Sequence, residues 1–255
     1  MTEFGLLQKK GIIAFTDGII TIQNTRLMSR IMKSAHDLNC LILQHAEDYY
    51  LSKDGMINDG IIATKLGLQG IPDLAELIII ERDLTLLENI KCRYHISQIS
   101  SLKSVETIKR RKERVKFSCG VSINNLSLNE NDIGDFRTFL KLSPPLRTEE
   151  DRKSLVQGLN DKTIDVIVSD HKPEDEESKR LTFAQAATGA SGIETLLPLS
   201  LELYHNDSVK LETIIRALTS NPAKILKINK GNLSVDNDAD FCIVDIDKPW
   251  IVKKD

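Results

Sequence analysis

Short apolar runs rich in β-branched residues alternate along this chain with longer segments of helical periodicity. The apolar runs lie at residues 11–17, 40–46, 93–100, 115–122 and 164–171. The clearest helical segments between them are residues 26–38, 73–90, 101–115 and 149–159. Near-continuous apolar strands separated by helices are typical of parallel sheets buried on both faces. The alternation predicts an α/β protein built on a parallel sheet.

Composition narrows the class of protein further. The chain has 255 residues, enough for one α/β barrel, and a formal net charge of only -3. A nucleic-acid or anionic-membrane binder should carry a basic excess, so neither partner is expected. No apolar run approaches the roughly 18–20 residues that span a bilayer. The four cysteines form no CxxC pair, which argues against a disulfide framework or a zinc knuckle. We therefore expect a cytoplasmic protein.

Two architectures fit the alternation: a doubly wound open sheet, or part of an eight-stranded barrel. No GxGxxG or GxxxxGK[ST] motif follows the first run, which weakens a nucleotide-binding interpretation. Polar residues recur where successive apolar runs end, for example at residues 16–17, 44–45 and 169–171. In a barrel these ends converge on one mouth, where catalytic and metal-binding groups lie. The sequence favours the barrel and leaves the open sheet as the alternative.

Four side chains at these strand ends are candidates for chemistry. His45 fits a metal ligand or general base, and equally a structural histidine. Asp170 ends an apolar strand, where a buried carboxylate needs a partner, so metal ligand, general base and capping group all fit. Asp17 precedes a glycine and also fits an ordinary turn. Gln98 lies three residues after His95, so within one strand only one of the two can point inward.

These candidates are few for a metal centre. A zinc site needs three or four protein ligands, and a glutamine amide is a weak one. His171 follows Asp170 directly, so it should face the other side of the strand and be structural. By ligand count alone, the predicted site is incomplete.

The ordered motifs FTDG, QHAED, YHISQIS, SPPLR, VIVSDHKPED, GIETLLPL, SNPAKIL and DADFCIVD resemble those of the dihydroorotases, members of the amidohydrolase superfamily. The resemblance implies an incomplete (β/α)8 TIM-type barrel over residues 1–228. Residues 229–255 would be a remnant of a composite β-sandwich domain, with residues 239–246 as one of its strands. Relative to the family, the chain is expected to begin near the fourth barrel strand and to stop before the last strands of the β-domain.

The resemblance also implies roles for the metal-site positions. His45 matches a zinc ligand, and Asp170 matches the catalytic aspartate that also touches metal. Asp17 lies in the segment that normally ends in two aspartates, one of which bridges the metals, so it is a weak match. Gln98 stands where the family has a histidine ligand, so that ligand position is lost.

The substrate positions are altered as well. Ser143 replaces the asparagine of the N-P-P-L-R motif, while Arg147 of that motif is retained. Glu174 stands where the family has a substrate-binding histidine, and Asn124 and Asn125 stand where it usually shows a histidine pair. The implied substrate site, Ser143, Arg147 and Glu174, is therefore degenerate.

Most of these departures remove a ligand or a substrate contact. The chain is similar to the non-catalytic dihydroorotase-like branch, which implies weak or absent zinc, a structural role beside aspartate carbamoyltransferase, and an oligomeric state. One alternative is an active zinc-dependent dihydroorotase, interconverting carbamoyl aspartate and dihydroorotate, whose N-terminal metal ligands are missing from this chain. An unrelated alternative is an open-sheet binding module that uses Asp170 for a ligand.

Overall fold

The computed structural model describes residues 3–235, 237–238, 240–249 and 251. Within them the strands are β1 (Ala14–Phe15), β2 (Leu41–Gln44), β3 (Ile57–Asn58), β4 (Gly70–Ile71), β5 (Arg93–Ile96), β6 (Ser118–Ser122) and β7 (Val166–Val168). The helices are α1 (Phe4–Lys9), α2 (Thr25–Asp37), α3 (Tyr49–Ser52), α4 (Ile61–Leu66), α5 (Leu74–Ile90), α6 (Leu102–Lys112), α7 (Ile123–Ser127), α8 (Glu149–Asn160), α9 (Glu176–Arg180), α10 (Leu196–His205), α11 (Leu211–Leu218) and α12 (Ser220–Leu226). Single 3-10 turns occupy Glu130–Ile133 and Thr138–Leu140.

Five of these strands form one parallel sheet in the order β1-β2-β5-β6-β7. β3 and β4 form a separate parallel pair in the loop region before α5. A doubly wound sheet reverses its strand order at a switch point. Here the order follows the chain without reversal, as the wall of a barrel does, so the barrel prediction is confirmed over the open-sheet alternative. In the part of the chain that the structure describes, β1 and β7 are the two open edges.

The helices form where periodicity and capping residues agree. In α2 the Asn24 side chain accepts the Leu27 backbone N–H at 2.9 Å. Ser101 caps α6 by accepting the Ser104 N–H. The buried stripe of α2 faces the sheet and consists of Met28, Ile31, Met32 and Ala35. Such apolar stripes join residues of β2, β5 and β6 in one continuous core.

The strands are shorter than the apolar runs that predicted them. Residues 11–17 contain only Ala14–Phe15 as a strand, because an edge strand is held from one side alone. The prediction of a strand over residues 239–246 is wrong for its described part, 240–246, which forms no strand ladder. A strand exists only where a neighbour takes up its backbone groups. This segment instead passes α10, where the Ile246 carbonyl accepts a hydrogen bond from His205 Nε2 at 2.9 Å.

Two further expectations concern the ends of the fold. The last helix of the described residues ends at Leu226, and the domain division at residue 228 stays a prediction. Within the described ranges, none of the helices combines the length and apolar composition that crossing a membrane requires.

Candidate functional site

The carboxyl ends of the sheet strands open into a cavity of about 700 Å³. Its wall includes the loops after β2 and β7 and the segment that carries the Ser-Pro-Pro sequence. The polar side chains that line it are Glu47, Ser52, Lys141, Ser143, Asp170, His171, Lys172, Glu174 and Thr188. Strand ends of a parallel barrel are where catalytic groups collect, so this is the candidate site.

His45, Glu47 and Ser143 form a cluster at one side of this cavity. His45 Nε2 lies 3.4 Å from Ser143 Oγ and 3.8 Å from Glu47 Oε2, and Ser143 Oγ is 3.4 Å from Glu47 Oε2. Burial works against ionisation of Glu47, but its interactions with His45, Ser52 and Ser143 outweigh burial and lower the pKa of Glu47. The sequence reasoning named His45 and Ser143 but missed Glu47, although its place two residues after His45 was a usable signal.

Asp170 lies two residues beyond the end of β7 and also lines this cavity. Its backbone is left-handed, with φ of 49°, a conformation that costs a non-glycine residue about 1 kcal/mol or more. Gln98 Nε2 donates a hydrogen bond to Asp170 Oδ1 at 2.7 Å. Burial raises the pKa of Asp170, against the opposing effects of the Gln98 hydrogen bond and of His45. The amide at the lost ligand position therefore serves as the carboxylate's hydrogen-bond donor.

His95 and Gln98 share a second cavity of about 310 Å³ on the inner face of the sheet. The expectation that only one of them points inward is wrong. β5 ends at Ile96, and Ser97 donates its N–H to the Gln44 carbonyl at 2.9 Å, so strict alternation stops before Gln98. His95 Nδ1 lies 2.7 Å from Ser118 Oγ.

Asp17 is not brought together with Asp170. It is exposed and lines a different, mostly apolar cavity of about 290 Å³ beside Phe15 and Gln44. Glu174 does reach the candidate site, where its carboxylate lies 3.5 Å from Lys172 Nζ.

Arg147, the implied substrate contact, does not line the candidate cavity and is only 3 % exposed. Its Nη1 donates to the Ile71 carbonyl at 2.6 Å and to Asn58 Oδ1 at 2.9 Å, and its Nε donates to Ser100 Oγ at 3.0 Å. These contacts correct the sequence expectation, because they give the guanidinium a structural position. Asn125 is also buried, and its Nδ2 donates to the Pro145 carbonyl at 3.0 Å.

His171 lines the cavity but uses its ring to hold backbone. The backbone N–H groups of Gly192 and Ile193 donate to His171 Nδ1 at 3.1 and 3.3 Å. Because His171 and Asp170 line the same cavity, the expectation that His171 faces the other side of the strand is wrong, whereas its ring contacts fit the structural role expected of it.

Lys141 fixes the wall of the candidate site. It is 8 % exposed, and its Nζ donates to the carbonyls of Phe183, Ala184 and Ala186, each at 2.9 Å. Burial lowers the pKa of Lys141. Gly189, which lines the cavity, donates its N–H to the Lys141 carbonyl at 2.9 Å. The loop from 183 to 189 is therefore held at both the side chain and the backbone of one lysine.

Replacing Lys141 by Met should loosen this loop. Three carbonyls would lose their donor, two of them on the buried residues Phe183 and Ala186, and we expect the free energy of unfolding to fall by about 1–3 kcal/mol. Limited proteolysis should show new cleavage between 183 and 189, and urea unfolding should show the stability loss. The control is Lys153→Met, since Lys153 is exposed and its Glu149 contact is long at 3.9 Å. Equal protease resistance in the two variants would contradict the assignment.

The donor set at the candidate site does not fit a zinc pair. Among the described residues, no three His, Cys, Asp or Glu side chains lie close enough together to hold a metal ion. His45 and Glu47 approach each other, but Asp170 is engaged by the Gln98 amide and Asp17 lies in another cavity. A structural or catalytic zinc needs three or four ligands converging on one point.

Comparison with known proteins places this chain in a family. Residues 1–104 match the family model described as Dihydro-orotase-like. The dihydroorotase of Ehrlichia chaffeensis is 42% identical over 254 residues, covering 99% of this chain and 57% of that protein. The dihydroorotase of Wolbachia sp. subsp. Brugia malayi is 40% identical over 257 residues, covering 100% of this chain and 58% of that protein.

Solved structures agree on the fold. The L-hydantoinase (dihydropyrimidinase) of Arthrobacter aurescens superposes with a TM-score of 0.80 at 24% identity, covering 93% of this chain and 56% of that one. This likeness supports the TIM-type barrel architecture. The chain spans a little over half the length of the curated relatives it matches. From the ordered motifs, the barrel wall and these matches together, we conclude that the chain belongs to the dihydroorotase-like family.

Proposed function

We propose that this chain is a catalytically degenerate, dihydroorotase-like protein of pyrimidine biosynthesis, acting in the cytoplasm as a structural partner of aspartate carbamoyltransferase. The observation that carries the proposal is the Gln98–Asp170 hydrogen bond at 2.7 Å. It puts a neutral amide where the family resemblance implies a histidine ligand, and it occupies an oxygen of the catalytic-position carboxylate. Zinc held by this chain alone should therefore be weak or absent.

The remaining groups of the cavity can still recognise a small polar molecule. Glu47, Ser143, Lys172 and Glu174 place two carboxylates, a hydroxyl and an ammonium on its wall. Ser143 and Glu174 are the positions we assign to residual substrate contact with carbamoyl aspartate or dihydroorotate. Asp170, with a pKa raised by burial, is suited to exchange a proton with a bound molecule.

The exposed apolar surface beside β1 supports a covering partner or an oligomer. Its members cluster in the segment that precedes and follows the edge strand: Leu6, Ile12, Ile13, Ile19 and Ile20. The most exposed of these five side chains is Ile20, at 70 %. Contiguous apolar patches of this kind mark interaction surfaces in proteins that remain in solution.

The first test measures metal and turnover together. Elemental mass spectrometry of the purified 255-residue chain should find less than one zinc ion per chain. The same protein should not turn over carbamoyl aspartate or dihydroorotate. A full-length curated relative, prepared and assayed in parallel, is the positive control. A stoichiometric zinc pair or measurable turnover by this chain unaided would contradict the proposal.

The partner is tested separately, by size-exclusion chromatography with the aspartate carbamoyltransferase of the same organism. Co-elution is expected, and Ile19→Ser with Ile20→Ser should weaken it because apolar surface is lost from the contact. Separate elution of the two unmodified proteins would contradict the structural role.

The second candidate is an active zinc-dependent dihydroorotase whose remaining ligands come from outside this chain. The observation that favours it is coverage: the relatives named dihydroorotase are considerably longer than the part matched here. Under this alternative, adding a separately expressed segment of a relative that carries its N-terminal metal ligands should restore zinc and turnover. Under the leading proposal it should restore neither, because Gln98 still replaces a ligand.

A further inference from the structure

A further cavity, of about 510 Å³, lies at the end of the sheet opposite the candidate site. It is enclosed by the C-terminal end of α5, the start of β5 and the segment between α6 and β6. Its lining residues are Leu87, Glu88, Lys91, Cys92, Arg93, Arg114, Val115 and Lys116. We name this set the basal pocket. Its volume falls in the range of about 300–1,000 Å³ that small-molecule sites occupy.

The basal pocket is strongly cationic in a chain whose net charge is -3. It carries four cationic side chains, Lys91, Arg93, Arg114 and Lys116, against the single carboxylate of Glu88. That carboxylate is already paired with Arg111 at 2.5 Å. None of the four cations has a carboxylate within ion-pair distance among the described residues.

The neighbouring basic helix behaves differently. In α6, Arg110 and Arg111 both bind Glu81, Lys109 binds Asp161, and Lys112 binds Asp165. The cationic side chains of this helix are therefore each paired with a carboxylate of the same protein. The contrast separates the basal pocket from an ordinary solvated basic helix.

Arg93 is held in place for a ligand. Its Nη1 donates to the Asn39 carbonyl at 3.3 Å and its Nη2 to the Ile225 carbonyl at 2.5 Å. These contacts fix the guanidinium plane without neutralising its charge. A fixed guanidinium loses less conformational entropy when it binds an anion, and arginine with lysine is the usual pairing for phosphate groups.

The four cations could instead interact with the partial negative charges at the C-terminal ends of nearby helices. α5 ends at Ile90 and α6 at Lys112, and each helix C-terminus carries the equivalent of about half a negative charge. Two such ends together offset only about one of the four positive charges. The rest of the positive charge is left for a ligand.

From this geometry we propose that the basal pocket binds an oligophosphate group. The lining contains leucine and valine but no aromatic ring, so it offers no stacking surface for a nucleobase. Recognition should rest on the phosphates, whether these belong to free pyrophosphate or to the phosphate chain of a nucleotide. The pocket lies at the end of the strands remote from the candidate site, so the proposal does not depend on the proposed function.

The test is calorimetric titration of the 255-residue chain with pyrophosphate, ADP, ATP and AMP at low ionic strength. Pyrophosphate, ADP and ATP should bind, AMP should bind more weakly, and added salt should weaken all of them. Similar affinities for pyrophosphate and ATP would support recognition of the phosphates in either source. Much tighter binding of ATP than of pyrophosphate would identify a nucleotide as the source.

The decisive variant combines Lys91→Gln with Lys116→Gln, both at exposed side chains. Losing two charge-assisted contacts should weaken pyrophosphate binding at least about tenfold. Lys9→Gln with Lys10→Gln is the matched control, because it removes the same charge from exposed positions at the end of α1. Arg114→Gln provides a second, single-site variant, and circular dichroism confirms folding. Failure of pyrophosphate, ADP and ATP to bind, or equal weakening in the control, would overturn the proposal.

Discussion

Replacing Arg147 by Ala should lower the free energy of unfolding by about 3–5 kcal/mol, the usual effect of removing one partner from a buried charge network. Arg147 Nε donates to Ser100 Oγ, and that hydroxyl in turn donates to Glu76 Oε2 at 2.5 Å. Arg147 Nη1 donates to Asn58 Oδ1, and Asn58 Nδ2 donates to Glu130 Oε2 at 2.7 Å. The guanidinium therefore stands between two buried carboxylates, each reached through one bridging side chain.

The loss should be large because both carboxylates would remain buried. Glu76 is 2 % exposed and also accepts the backbone N–H groups of Ser100 and Ser101, at the start of α6. A domain of this size has a total stability of about 5–15 kcal/mol, so the variant should be close to unfolding. Urea unfolding followed by circular dichroism measures the change.

Two variants separate this structural role from a substrate contact. Arg147→Lys keeps the charge but loses the planar fork, so we expect an intermediate loss of stability. Arg216→Ala is the control, because Arg216 pairs with Glu212 on an exposed helix face and should change stability by less than about 1 kcal/mol. If Arg147→Ala left stability unchanged, the guanidinium would be free for a ligand and Arg147 would not have the structural role that its contacts indicate.

Acidification should destabilise the protein through His95. Burial lowers the pKa of His95 to about 4, with a smaller contribution from the nearby charge of Lys112, whereas an ordinary histidine titrates near 6.5. Between these values the unfolded chain takes up a proton that the folded protein does not. Stability therefore falls as the pH drops from about 6.5 toward 4, and this contribution levels off below 4. From about pH 7.5 to 4.5 it amounts to about 2–3 kcal/mol.

The His95→Asn variant isolates this contribution. Asparagine places a hydrogen-bonding atom near the ring position that lies 2.7 Å from Ser118 Oγ, but it does not titrate. The difference in unfolding free energy between about pH 7.5 and 4.5 should shrink by about 2–3 kcal/mol relative to the unmodified protein. His36→Asn, on the exposed face of α2, should leave the difference unchanged. An identical pH dependence in His95→Asn and the unmodified chain would show that His95 binds protons equally in the folded and unfolded protein, which would contradict the prediction.

Local pattern was a reliable guide to elements and to which residues lie near the site. The apolar stripe of α2, the Ser101 cap and the polar strand ends depend on neighbours within a few positions in the chain. Local sequence is therefore enough to predict them. The positions of His45 and Asp170 at one mouth followed from the rule that parallel strands end together, whereas Ser143 and Glu174 were implied only by the family resemblance. The sequence marks Glu47 only as a carboxylate close to His45, three residues beyond β2, and a residue in that position can face either a cavity or solvent.

The roles of several of these residues depended on partners distant in the chain. Arg147 contacts Ser100, Ile71 and Asn58, which precede it in the chain by 47, 76 and 89 positions. No local pattern indicates that their polar groups are buried together. The same holds for Gln98 and Asp170, which lie 72 positions apart. The shared cavity of His95 and Gln98 arises from where β5 stops, which pairing with β2 and β6 determines.

The sequence by itself determined the parallel α/β architecture, the helix faces and the scarcity of imidazole and carboxylate ligands, because periodicity, capping and composition are local properties. Only the tertiary structure decided that Gln98 binds the carboxylate of Asp170, that Arg147 supports the fold, and that residues 240–246 form no strand. The physical reason is common to all three. Hydrogen bonds and burial are properties of pairs, and a pair is defined only when the chain has brought both members together.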